Sequence, residues 1–139
     1  MKLVYNIVIN SHIDKVWSVL ENLENQAILV DEINVEKDSP NTFIFHIKNK
    51  FRTKSYHAVL LDKEDRRRIS FCMVNKNLKI TKTYFLSNNG IETYIKHYTK
   101  IQADNWFKKL ITYPFYSLSF RKNRDAEFKE LQKQCLKRD

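Results

Sequence analysis
Late in this chain the apolar residues change period, and that change limits the folds open to it. From residue 33 to residue 101 they recur mostly at every second position. From Asp104 onward they recur at every third or fourth. A period of two puts side chains on one face of a strand, and a period of 3–4 puts them on one face of a helix. "INVEK" (33–37), "TFIFHIKNKF" (42–51), "KSYHAVLL" (54–61), "RISFCMV" (68–74), "LKITKTYFL" (78–86) and "IETYIKHYTKI" (91–101) therefore read as strands. Trp106, Leu110, Tyr113, Phe120, Phe128, Leu131 and Cys135 then read as the buried side of one long helix, bent at Pro114, where the ring removes a helical hydrogen bond. Residues 106–120 are apolar over most of the wheel: Phe107, Ile111, Phe115 and Leu118 form a second sector. The expected reading is a kinked lid, one side a pocket wall and the other in an unassigned contact.

The amino-terminal end completes the order. Leu3, Tyr5, Ile7 and Ile9 share a strand face, and Ile13, Val16, Trp17 and Leu20 share a helix face. Ser11 is placed to cap that helix, with Asp14 as capping-box partner. "QAILV" (26–30) suggests a second short helix. "DSPN" (38–41) reads as a turn. "NNG" (88–90) reads as a tight hairpin; with Asn89 and Gly90 as its turn pair, Tyr84 faces Ile95 and Lys82 faces His97. The predicted fold is α+β: a curved antiparallel sheet of about seven strands wrapped around a long C-terminal helix, with two short helices after the first strand. Residues 1–139 are expected to form one domain, a size suited to a single core.

This order resembles the helix-grip fold of the START-like (SRPBCC) superfamily, which includes the birch-pollen-allergen, polyketide cyclase/dehydrase and lipid-transport families. "IVINSHIDKVWSVLENL" is similar to their opening, with Val16 and Trp17 at the Val-Trp position, although the usual proline before the helix is replaced by Ser11-His12-Ile13. "FKELQK" (128–133) resembles their closing helix. The resemblance implies binding or transport of a hydrophobic small molecule or lipid between the sheet and the C-terminal helix. It implies as an alternative a cyclase/dehydrase-like enzyme.

Several chemistries are excluded. Gly90 is the sole glycine, and phosphate-cradling loops and nucleophile elbows need several. Cys72 and Cys135 form no metal-binding or redox spacing and read as buried thiols. The four histidines are scattered and there is no paired carboxylate, so no catalytic residue, metal ligand or cofactor is assigned. His46 and His57 fall on the solvent parity. Ser70 and Cys72 lie on the face opposite Phe71 and Met73.

The expected ligand-lining positions are Phe43, Phe45, Ile47, Tyr56, Phe71, Met73, Lys82, Tyr84, Ile95, His97, Trp106, Leu110 and Tyr113. Lys82 and His97 would orient a ligand on an otherwise oily wall, with Asp104 as an alternative partner for Lys82. The net charge of +9 opens a further alternative, a basic module for nucleic acid or anionic membrane. The positive charges are interleaved with acids, "KEDRRR" (63–68) being the densest cluster. That pattern reads as a solvated basic surface and disfavours nucleic acid; the second apolar sector of residues 106–120 leaves a transient anionic-membrane contact or a homodimer open. No apolar run reaches the length of a membrane span and the start is not a signal peptide, so the expected setting is cytoplasmic.

Overall fold
The computed structural model describes residues 2–21, 33–39, 42–48, 53–75, 78–103 and 128–135. Its elements are β1 (Lys2–Ile9), α1 (Ile13–Leu20), β2 (Ile33–Ser39), β3 (Thr42–Lys48), β4 (Thr53–Glu64), β5 (Arg68–Asn75), β6 (Leu78–Asn88) and β7 (Thr93–Ala103). Residues 128–135 are helical. All seven strands pair antiparallel in one open, curved sheet of order β1-β7-β6-β5-β4-β3-β2. β2 to β7 form a meander, and β1 closes against β7 so that the first and last described strands are neighbours. The fold class expected from the sequence is the one observed. The second short helix at 26–30, the turn residues 40–41 and the Pro114 bend lie outside the described residues.

β1, β6 and β7 alternate as their sequences require. On the inner face Tyr5, Ile9, Ile69, Phe71, Met73, Ile80, Tyr84, Leu86, Ile95 and Ile101 join α1 residues Ile13, Val16, Trp17, Val19 and Leu20 in the core. Leu131 and Cys135 belong to the same cluster and Phe128 packs against it. The helix at 128–135 thus covers the inner face with the residues its spacing indicated. Cys72 and Cys135 are both buried and unbridged.

Three local expectations are corrected. His12, not Ser11, caps α1: its Nδ1 accepts a hydrogen bond from the Asp14 N–H at 3.2 Å. Ser11 instead offers its carbonyl to the Thr93 hydroxyl at 2.9 Å, tying the β1–α1 turn to β7. Asp14, freed from a capping box, pairs with Arg66 in the β4–β5 turn, which holds its carboxyl below the usual range. In the second correction β4 extends through Lys63 and Glu64, and β2 through Asp38 and Ser39, so both runs outlast the turn signals at their ends.

The third concerns the β6–β7 hairpin. Asn88 pairs with Thr93, leaving a loop from Asn89 to Glu92 rather than a two-residue turn. Side chains hold it. Asn88 Oδ1 accepts from the Gly90 N–H at 2.9 Å, and Asn89 Oδ1 accepts from the N–H groups of Ile91 and Glu92 at 3.0 and 2.8 Å. Gly90 sits at φ 93°, where a side chain is disfavoured. Tyr84 therefore faces His97, and Lys82 faces Thr99. The shift is an even number of residues, so every side chain keeps its face.

Candidate functional site
The polar groups on the inner wall come from three adjacent strands. The register sets them in two rows: Leu3–Thr99–Lys82–Phe71, and beside it Tyr5–His97–Tyr84–Ile69. Strand alternation sends all eight side chains inward, and neighbouring rows lie within reach of long side chains. Lys82 and His97 are thus diagonal neighbours rather than opposite one another. Tyr5 and Thr99 complete a polar group that the sequence reading did not assemble. The parity of Tyr5 with Ile7 and Ile9, and of Thr99 with His97, carried that information.

His97 is fully buried. Its ring stacks on Tyr84 with centroids 4.3 Å apart, and Tyr5 meets it edge-on at 4.8 Å. Tyr5 in turn meets Phe128 of the terminal helix edge-on at 4.8 Å. Burial holds the imidazole pKa well below its ordinary value, and the nearby Lys82 charge pushes it the same way. A neutral imidazole offers one donor and one acceptor. Thr99 Oγ1 is buried and, among the described residues, has no hydrogen-bond partner; the same holds for Trp17 Nε1 on α1. Lys82 is half-buried, with no ion pair among the described residues. The wall therefore presents a cation, a hydroxyl and a neutral ring within an apolar surface.

Of the expected lining positions, Phe43, Phe71, Met73, Tyr84, Ile95 and His97 are buried on the inner wall, together with half-buried Lys82. Phe45, Ile47 and Tyr56 hold strand positions in β3 and β4. Trp106, Leu110, Tyr113 and the alternative partner Asp104 lie outside the described residues, as does the wall they would supply. His57 is exposed and His46 half-buried. Ser70 and Cys72 do lie opposite Phe71, but both are buried there, and Ser70 hydrogen-bonds Thr83 at 2.9 Å. Among the described residues no group of three or more His, Cys, Asp and Glu is placed to hold a metal ion. No described helix is long and apolar enough to cross a membrane.

No protein-family model matches the sequence, and no curated protein matches it. Solved structures do. A START superfamily protein from Mycobacterium smegmatis superposes with a TM-score of 0.79 at 7% identity, over 99% of both chains. The Zhui aromatase/cyclase from Streptomyces sp. R1128 gives 0.73 at 10% identity, over 99% of this chain and 94% of its own. Norcoclaurine synthase from Thalictrum flavum gives 0.71 at 13% identity, over 100% and 88%. At these identities the likeness is one of fold, and it spans the chain from end to end. With the sheet order, the opening strand–helix unit and the helix seated on the inner face, it identifies the architecture: this chain has the helix-grip fold of the START-like (SRPBCC) superfamily.

Proposed function
We propose that this chain is a single START-like domain that binds an apolar small molecule or lipid between the inner face of its sheet and the terminal helix. The observation that carries the reading is the inner wall of β1, β7 and β6. It is lined by Tyr5, Tyr84 and Ile95, and it bears His97, Thr99 and Lys82 as its polar groups. A few polar groups set in an apolar wall are what orients a ligand whose affinity comes from burial. Lys82 and Thr99 donate to an acceptor on the ligand, and neutral His97 accepts from a hydroxyl or donates to a carbonyl. The solved norcoclaurine synthase structure holds dopamine and hydroxybenzaldehyde, which supports a small aromatic or amphipathic guest for this fold.

Native mass spectrometry of the purified protein tests this. The expected spectrum contains an apolar adduct, or acquires one on titration with Nile red, a neutral apolar dye. A protein that carries no adduct and takes up no dye saturably overturns the reading.

A second reading follows from the neutral imidazole. A buried neutral His97 diagonal to a cation is suited to proton transfer on a bound carbonyl compound, and cyclases are among the fold neighbours. In that reading the double variant Lys82→Met/His97→Leu loses turnover of a polyketide-like substrate while still taking up Nile red. Unchanged turnover removes it.

A further inference from the structure
The outer face of β1, β7 and β6 carries a pattern that ligand binding does not use. Its outward positions are Lys2, Val4, Asn6 and Val8 on β1; Tyr94, Lys96, Tyr98, Lys100 and Gln102 on β7; and Lys79, Thr81, Thr83, Phe85 and Ser87 on β6. None of these is an Asp or Glu. Val4 and Val8 are 47% and 48% exposed, and Phe85 and Tyr94 are both 39% exposed. Each valine stands opposite a tyrosine, Val4 beside Tyr98 and Val8 beside Tyr94. Lys2, Lys79, Lys96 and Lys100 are exposed, and none has an ion pair among the described residues. Arg68, the neighbour of Phe85 on β5, is different, since it pairs with Asp62 and Glu64.

Lys2 lies directly opposite Lys100 across the β1–β7 pair. Like charges in that position destabilise a sheet, so the free protein carries a repulsion that a bound anion relieves. The two lysines border a shallow hollow of about 290 Å³ with Thr81, Thr83, Phe85 and Tyr98. A second hollow, of about 420 Å³, lies on the other side of Phe85 and is bordered by Val8, Ser87, Tyr94 and Lys96.

We propose that this face docks on an anionic phospholipid surface. The lysines and hydroxyls meet headgroup phosphates, while Val4, Val8, Phe85 and Tyr94 enter the headgroup–acyl boundary, where amphipathic aromatic rings and snorkelling lysines are favoured. A second copy of the chain does not suit the face, because it would set lysine against lysine. Single-stranded nucleic acid suits it less well. Base stacking needs open ring faces, but Tyr98 is packed edge-to-face with Phe85 at 5.5 Å and covered by Lys96 Nζ at 5.5 Å. The edge valines also offer nothing to a base.

Vesicle co-sedimentation of the full chain tests the proposal. The expected result is partition onto phosphatidylcholine/phosphatidylglycerol vesicles, released by salt, and no partition onto phosphatidylcholine alone. Each lysine removed costs about fivefold in partition, so Lys2→Gln/Lys100→Gln loses about 25-fold. That variant remains folded by circular dichroism, with an unchanged or raised midpoint, because a like-charge pair has gone. The charge-matched control Lys129→Gln/Lys133→Gln stays within about twofold, because both lysines are exposed on the helix that packs against the opposite face of the sheet, where their charges are screened. Val4→Asn/Val8→Asn weakens partition without changing its salt slope. Equal losses in the two charge variants, equal partition onto both vesicle types, or an oligo(dT) strand bound through Lys2 and Lys100 while vesicles are ignored would each overturn the proposal. The outcome is independent of whether the inner wall takes up Nile red.

Discussion

Replacing His97 with leucine should flatten the acid side of the stability profile. His97 is fully buried between Tyr84 and Tyr5, and its pKa in the folded protein lies well below the ordinary 6.5. As the pH falls through that ordinary value, the unfolded chain takes up a proton on this imidazole and the folded chain does not. Stability linked to His97 is therefore fully present above the unfolded pKa and is lost as pH falls below it, until the folded ring also protonates. The slope approaches at most about 1.4 kcal/mol per pH unit, so by about pH 5 the cumulative loss reaches at most about 2 kcal/mol. His97→Leu costs some stability at every pH, since the ring contacts are gone, but it removes this component of the slope. Urea denaturation of both proteins between about pH 7.5 and about pH 5 reads the difference directly. The two free-energy curves should converge towards low pH, by up to about 2 kcal/mol. Parallel curves would mean that the imidazole is protonated or solvated in the folded protein, and the inner wall would then lack the neutral ring assigned to it.

Two further substitutions test the frame that holds the site. Leu131 is 1% exposed in the core contact between the terminal helix and the sheet, so Leu131→Ala should destabilise by about 2–5 kcal/mol in urea titrations; a loss under ~1 kcal/mol would show the helix to be loosely held. Gly90→Ala meets no neighbouring atom but must hold φ 93°. It should cost about 1 kcal/mol, read as a lowered thermal midpoint, with no change in the strand pairing seen by NMR.

The sheet was legible because β1, β6 and β7 alternate cleanly and the terminal residues change period. Faces were therefore assigned correctly for Tyr5, Phe71, Tyr84, Ile95 and His97. The pairing across β6 and β7 was not, for a physical reason. Asn-Gly suits a two-residue turn, but here Asn88 and Asn89 both turn their side chains back on the loop amides and stabilise a longer connection. A loop two residues longer changes each partner and no face, so Lys82 moved from His97 to Thr99 while both remained on the inner wall. The α1 cap was missed because an imidazole Nδ1 performs the acceptor role usually given to serine. The burial of Ser70 and Cys72 on the outer face was also invisible, since alternation assigns a side but not what covers it. In the candidate site, His97 and Lys82 were legible as polar interruptions of an oily face. Tyr5 and Thr99 became members only when β1 was placed beside β7, a pairing between strands far apart in the sequence that no local signal reports.

Methyl NMR of the full chain titrated with Nile red tests ligand binding at the inner wall most directly. Ile69, Ile80, Ile95 and Ile101 report from that wall and Leu131 from the helix above it, while Val4, Val8 and Val74 report from the outer face. Binding between sheet and helix predicts saturable shifts at the inner methyls with the outer valines unmoved. Shifts confined to the outer valines, or no saturable shift at the inner methyls, would contradict it.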